Sequence, residues 1–179
     1  MRNPIRNIAV ALALALLAVP LRAVADDDDE KDEANEHEQL SGAMNDSNVP
    51  LDRGISAIKE GTPISAKYEV EKGQLQLSVY TVKGDKFSEV IVDHKTGRVA
   101  KAEPITSGED LTAAQAQKQA MAQANRSLAS ATTAAMKDNP GYRAVSSVPR
   151  IEDGHPVAAV TLLKGDDWKT VSEKLDGGQ

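Results

Sequence analysis

The chain has 179 residues, no cysteine and a formal charge of −6 at pH 7. This length accommodates one ordinary domain or two small ones, and without cysteine the core must be stabilised by packing rather than by disulfides. From residue 39 onward the chain carries 17 basic and 18 acidic residues, so it has no basic field that would attract nucleic acid. We therefore expect no nucleic-acid partner.

Residues 1–25 have the three parts of a secretory signal peptide. Arg2 and Arg6 give a positive start, Ile8 to Leu17 is apolar, and Ala23-Val24-Ala25 supplies small residues at a cleavage site. The apolar run is too short to span a bilayer, although an uncleaved anchor is the alternative. We expect a soluble mature protein in the periplasm, without stable membrane insertion.

Residues 26–48 form an acidic segment with few large apolar side chains, a composition that predicts disorder. The run Asp26 to Glu30, with His37 nearby, is the one candidate cation site. Tight binding of a hard cation needs a folded loop that fixes several carboxylates, whereas a flexible run attracts cations only diffusely. Solubility or spacing is therefore the favoured interpretation of this run.

Residues 49–103 are predicted to form a first unit of one helix and three strands. Leu51, Ile55 and Ile58 recur at helical spacing. Alternation of apolar and polar residues predicts the strands, and glycine-containing turns between them predict an antiparallel meander. The predicted strands are Ile64 to Val70, Leu75 to Thr81 and Phe87 to Val92.

A linker over residues 104–110 separates this unit from a second unit over residues 111–179. Good helix formers from Leu111 to Lys137 predict one long helix. Three further strand-like runs follow: Tyr142 to Ile151, Val157 to Leu163 and Trp168 to about Glu173.

The two units are related by an internal repeat. Shifting Ile64–Gly97 by 81 positions, which we call the repeat shift, overlays it on Val145–Gly178 without a gap, so that Phe87 falls on Trp168. Matches at turn glycines and strand valines indicate duplication of one supersecondary unit. The fold class we predict is α+β, with two α-β-β-β repeats, each a helix packed on a three-stranded antiparallel sheet. The two sheets could also join edge to edge.

The first unit resembles a PepSY domain, a small module of bacterial exported proteins and of some protease propeptides. The resemblance rests on the core Tyr68 to Val82 and on Glu89-Val90-Ile91-Val92-Asp93 running into His94-Lys95-Thr96-Gly97-Arg98-Val99. The second unit keeps Gly165, Trp168 and Gly178 but lacks the Asp and Thr of that ending. The resemblance implies a helix on an antiparallel sheet and a role in binding or inhibiting other proteins, notably peptidases. It implies no catalytic residues.

No set of residues predicts a reaction or a bound cofactor. Asp93 to Gly97 has the pattern of a turn, and neither His94 nor His155 has a second ligand at metal-binding spacing. There is no cysteine nucleophile and no glycine-rich phosphate loop. We therefore assign no catalytic, cofactor-binding or metal-binding residue.

These observations predict a non-enzymatic periplasmic binding module that restrains or regulates a peptidase or another exported protein. An exposed sheet edge or hairpin would be its contact surface. The alternative is a cation-responsive envelope or stress protein that acts through the acidic segment.

We predict cleavage of the signal peptide between Ala25 and Asp26, because small residues occupy both recognition positions. Mass spectrometry of protein recovered from the periplasm should therefore find Asp26 at the amino terminus. Recovery of the intact chain from a membrane fraction would contradict the prediction.

Overall fold

The computed structural model describes residues 27–177, and the predicted signal peptide lies outside them. No described helix is long and apolar enough to cross a membrane. The elements, in chain order, are α1 (Asp27–Ala43), a 3-10 turn (Met44–Asp46), α2 (Leu51–Ser56), β1 (Thr62–Glu71), β2 (Gln74–Lys83), β3 (Lys86–Val92), β4 (Val99–Ile105), α3 (Gly108–Ala122), α4 (Leu128–Asp138), β5 (Arg143–Glu152), β6 (His155–Lys164) and β7 (Asp167–Lys174).

All seven strands belong to one antiparallel sheet of order β4-β3-β2-β1-β5-β6-β7. The α+β class is confirmed, and the sheet is larger than the three-stranded sheet expected for each repeat, because it contains both predicted sets of three strands and β4. The first meander, which begins with β1 to β3, and the second meander, β5 to β7, merge because β1 pairs with β5. Ala66 lies opposite Ser147, and Lys67 lies opposite Ser146. The first of these pairs joins two positions related by the repeat shift, so each residue faces its own counterpart in the repeat.

The irregularities in strand pairing also occur at positions related by the repeat shift. Pairing of β1 with β2 shifts between Pro63 and Ser65, and pairing of β5 with β6 shifts between Ala144 and Ser146. The first hairpin turns also match. Lys72 and Asp153 each have a positive φ, at 52° and 49°, and each precedes a glycine with positive φ.

The first meander has an extra strand that the sequence analysis missed. β4 runs from Val99 to Ile105, where the prediction had the end of the first unit and part of the linker over residues 104–110. Its side chains are mostly exposed, and it contains Pro104, so its sequence lacks the apolar alternation that marked the other strands. Pairing with β3 nevertheless holds it in the sheet.

The single long helix predicted over Leu111 to Lys137 is in fact two helices, α3 and α4. The backbone N–H groups of Asn125 and Arg126 leave the helical pattern and donate to the carbonyl oxygen of Leu175, at 2.7 and 3.0 Å. Ser127 then caps α4 by accepting a hydrogen bond from the Ser130 backbone. The break is therefore fixed by contacts with a distant part of the chain.

The segment over residues 26–48, which was predicted to be disordered, contains α1 and the 3-10 turn where the structure describes it. α1 is helical, and Met44 after it is 2% exposed in the main core. Arg143 anchors the connection, because its guanidinium donates to the carbonyl oxygens of Met44 and Ser47 at 2.6 and 3.0 Å. The composition of residues 26–48 alone did not reveal this anchor, because Arg143 lies in β5.

The helices cover both faces of the sheet. On the face that carries Val79 and Val160, α2 and α4 enclose the main core. On the opposite face, Ala114 of α3 packs against Ile64 and Phe87.

Two contacts to aromatic rings also lie at positions related by the repeat shift. His37 of α1 stacks on Trp168 with ring centroids 4.1 Å apart. Lys118 of α3 lies 5.8 Å from the ring centroid of Phe87. The repeat shift relates His37 to Lys118 and Phe87 to Trp168.

We predict that Val79→Asp and Val160→Asp are similarly destructive. Both valines are fully buried in one core, and an unpaired carboxylate there costs several kcal/mol, against a typical total stability of roughly 5–15 kcal/mol. Thermal unfolding followed by circular dichroism should show the loss of the cooperative transition in both variants.

Lys83→Ala and Lys164→Ala are the matched controls, because these exposed lysines end β2 and β6. Each should change the free energy of unfolding by about half a kcal/mol or less. A silent Val160→Asp beside a destructive Val79→Asp would contradict the shared core.

Candidate functional site

A polar network covers part of the sheet face opposite α2 and α4 in the first meander. Cross-strand pairing places Lys67 opposite Ser78, Glu69 opposite Gln76, and Tyr80 opposite Glu89. Because side chains alternate between faces along each strand, all six project to the same side. β1, β2 and β3 thus bring together residues that are distant in sequence.

Glu69 is the centre of the network. Its carboxylate forms an ion pair with the ammonium group of Lys67 at 2.6 Å and accepts a hydrogen bond from the Ser78 hydroxyl at 3.1 Å. The amide of Gln76 donates toward Glu69 at 3.3 Å and toward Glu89 at 3.5 Å. One amide thereby bridges two carboxylates on neighbouring strands.

The network has an excess of negative charge. Burial raises the pKa of Glu89, and the nearby carboxylate of Glu69 raises it further. Burial also raises the pKa of Tyr80, with additional contributions from Glu89, Glu69 and Asp110. Lys67 is the one basic residue among the sources of these shifts. A further cation placed here would therefore favour the ionised form of Glu89.

A shallow groove borders this network where α3 crosses the sheet. The hydroxyl of Ser65 donates to the Gln117 side-chain oxygen at 2.7 Å, and both residues are buried. Asp110, in the first turn of α3, brings a third carboxylate to the edge of the groove. The lining residues are Ser65, Ala66, Lys67, Tyr80, Asp110, Ala113, Gln117 and Val148.

The second meander does not repeat the network. At the positions reached by the repeat shift, most of the polar side chains are replaced by smaller or apolar ones. The residues at positions equivalent to Lys67, Glu69, Gln76, Ser78, Tyr80 and Glu89 are Val148, Arg150, Val157, Ala159, Thr161 and Thr170. The network is thus specific to the first half of the sheet.

No motif in the sequence predicts this network as a site. Lys67, Glu69, Gln76 and Ser78 were the polar partners in the alternation that predicted the strands, and a solvated face was sufficient to explain them. One signal was present, since Tyr80 and Glu89 are larger or more charged than their counterparts Thr161 and Thr170. Without the register between strands, that difference did not indicate a shared location.

The segment Asp93 to Gly97 forms the turn that its sequence indicates. The Asp93 carboxylate accepts hydrogen bonds from the backbone of Thr96 at 2.7 Å, from its hydroxyl at 2.9 Å and from the backbone of Lys95 at 3.0 Å. These bonds lower the pKa of Asp93. All three bonds are accepted by Oδ1, so this oxygen fixes the conformation of the turn.

The three histidines have separate surroundings. His94 is partly buried, and its Nδ1 has no hydrogen-bond partner among the described residues. His155 lies 2.6 Å from Asp176 and lowers the pKa of that carboxyl. His37 stacks on Trp168. Among the side chains that the structure describes, which begin at residue 35, no group of three or more histidine or acidic residues is placed to hold a metal ion.

A second cleft, of about 330 Å³, lies between α2, α4 and β5. The hydroxyl of Thr133 donates to Oδ2 of Asp52 at 2.8 Å, and Oδ1 of the same carboxylate is buried with no partner in the described part of the chain. Arg143 lines the cleft but is held by the carbonyl groups of Met44 and Ser47. We interpret this cleft as the junction that fixes α2 to the second meander.

We predict that Glu89→Gln stabilises the protein at neutral pH. Folding raises the pKa of Glu89, so the folded state binds a proton more readily than the unfolded state does. Ionisation of Glu89 therefore lowers the stability of the fold as the pH rises from the pKa of the unfolded state to that of the folded state. The substitution should raise the free energy of unfolding by about half a kcal/mol at pH 7 and by less near pH 4. Urea unfolding at both pH values measures this difference.

The control is Glu38→Gln on the exposed side of α1, away from the network, which should show little pH-dependent change. A gain for Glu89→Gln that is equal at both pH values would contradict the electrostatic explanation.

Comparisons of the chain with protein-family models, with curated proteins and with solved structures found no match.

Proposed function

We propose that this protein is a non-enzymatic binding module that recognises another exported protein through the groove beside α3. The observation that carries the proposal is the half-buried network of Lys67, Glu69, Tyr80 and Glu89, which the second meander lacks. Charged groups at such positions reduce the energy available for folding, so a binding role gives a physical reason for their presence.

The charge balance of the groove defines the chemistry of the partner. Glu69, Glu89 and Asp110 contribute carboxylates, whereas Lys67 contributes the one ammonium group of the network. A lysine or arginine side chain would offset this excess and would offer donors to the carboxylate oxygens. The partner is therefore a protein that presents a basic side chain on a projecting segment.

The finer architecture belongs to this proposal. The chain consists of two PepSY-like α-β-β-β units that arose by duplication, and their three-stranded meanders are joined edge to edge. The equal registers of the β1–β2 and β5–β6 pairs, which the repeat shift superimposes, support this. In this interpretation the first unit carries the recognition groove, and the second unit completes the sheet and the main core.

Export and the class of partner are also proposals. A cleavable signal at residues 1–25 would deliver the protein to the periplasm, and the PepSY resemblance implies that a peptidase is the partner to be restrained. The alternative function, a cation-responsive envelope protein, would act through Asp26 to Glu30, whose side chains lie outside the described part of the structure.

Site-specific crosslinking tests the groove directly. A photoreactive phenylalanine derivative at Ala113, which lines the groove, should form an adduct with a periplasmic protein on illumination. The same group at the exposed Gln115 of α3 is the matched control and should not form it. Glu69→Gln combined with Glu89→Gln should reduce the adduct about tenfold, because the partner's cation would lose its ion-pair partners.

Mass spectrometry of the adduct would identify the partner and show whether it is a peptidase. Equal adducts from Ala113 and Gln115, or an adduct that persists when both carboxylates are neutralised, would contradict recognition through the groove.

A further inference from the structure

β7 is an edge strand whose outer side has no paired strand among the described residues. It pairs with β6 over its whole length, from Asp167 opposite Lys164 to Lys174 opposite Val157. Its counterpart in the first meander, β3, is covered on the corresponding side by β4. β7 therefore presents an unpaired row of backbone donors and acceptors on its outer side, whereas the equivalent row on β3 is paired with β4.

The two edges of the sheet differ in how well they are protected. The β4 edge contains Pro104, and the register between β3 and β4 shifts between Ile91 and Val92. Proline and bulges both hinder the addition of another strand. β7 contains no proline, and its pairing with β6 has no register shift. β7 is therefore the edge more suited to accept a strand.

We propose that β7 pairs antiparallel with β7 of a second copy of this chain, which joins the two sheets about a two-fold axis. Val171 lies on that axis opposite its own symmetry mate. This register places Lys169 of each copy opposite Glu173 of the other. Thr170 then lies opposite Ser172, and Trp168 opposite Lys174.

Charge complementarity selects this register. A two-fold axis perpendicular to the sheet leaves the same face of both copies on the same side. Residues that lie opposite each other in an antiparallel pair point to the same face, so the axis must pass through a residue position rather than between two positions. Centring on Lys169 would oppose two lysines, and centring on Thr170 would place Asp167 opposite Glu173. Centring on Ser172 would place Glu173 opposite Val171. Centring on Trp168 would place Asp167 opposite Lys169, but it would pair only the residues from Asp167 to Lys169 and leave most of β7 unpaired. Among the registers centred between Lys169 and Ser172, only the one centred on Val171 gives two pairs of opposite charge, which stabilise neighbouring strands.

The chain already contains a junction of this kind. β1 and β5 occupy equivalent positions in the repeat, and they pair antiparallel with Ala66 opposite its counterpart Ser147. The side chains of Lys169 and Glu173 are only partly buried, so both remain accessible at the edge. Their present contacts are a stack of Lys169 on Tyr142 and an ion pair of Glu173 with Arg126.

Charge reversal and restoration test the proposal. Sedimentation equilibrium of the mature protein should show a dimer. Lys169→Glu and Glu173→Lys should each weaken it about tenfold or more, because like charges then face each other across the axis. The double variant restores opposite pairs and should recover most of the affinity. Lys101→Glu on the β4 edge is the matched control and should leave the dimer unchanged.

A cysteine crosslink tests the register without altering charge. The chain has no cysteine, so Val171→Cys introduces a single thiol on the proposed axis. Oxidation should link two copies of this variant, whereas Ala102→Cys on β4 should stay monomeric. Circular dichroism of each variant verifies that it is folded, and the Val171→Cys result decides if Glu173→Lys does not fold.

A mature protein that is monomeric at all concentrations would overturn the proposal. A double charge variant as weak as either single variant, or equal crosslinking of Val171→Cys and Ala102→Cys, would also overturn it. None of these outcomes bears on the groove beside α3, so this inference and the proposed function can fail independently.

Discussion

The pairing of β1 with β5 is the constraint on which the rest of the structure depends. It joins two meanders into one sheet through Ala66 and Ser147. Side-chain hydrogen bonds reinforce the junction on both faces. The hydroxyl groups of Thr132 in α4 and Ser147 are hydrogen-bonded at 2.9 Å, and the Ser65 hydroxyl donates to the Gln117 side chain of α3 at 2.7 Å. Ser147 and Ser65 are buried in the strands and each has a hydrogen-bond partner on a helix, so the helices and the junction stabilise each other.

This junction also explains why one face of the sheet can carry charge. α2 and α4 bury the apolar side chains of both meanders in a common core, which leaves the opposite face of the first meander to be covered only in part by α3. Lys67 and Glu69 can therefore remain half-buried and paired at the border of a groove. In the second meander, Val148 and Ala159 occupy the positions equivalent to Lys67 and Ser78, and Arg150 occupies the position equivalent to Glu69. Stability comes from the shared core, and the difference between the halves is concentrated on one face.

The sequence predicted those elements whose signals are local. Alternation around Val79 and Val160 located the strands, and glycine turns located the hairpins. Three features depended on distant contacts and were missed. α3 and α4 separate because Leu175 accepts two backbone hydrogen bonds at the break. The segment before Val49 is ordered because Arg143 holds it. The polar network required the register of three strands, and no single segment contains it.

Hydrogen exchange at the β1–β5 junction tests the central claim, that the two meanders form one continuous sheet. If the sheet is continuous, backbone amides of β1 and β5 near Ala66 and Ser147 should exchange as slowly as those of β2 and β6, which are paired on both sides within their own meanders. Their exchange should require the same global unfolding. Rapid exchange on both sides of the junction, with β2 and β6 still protected, would show two independent sheets and would contradict this account.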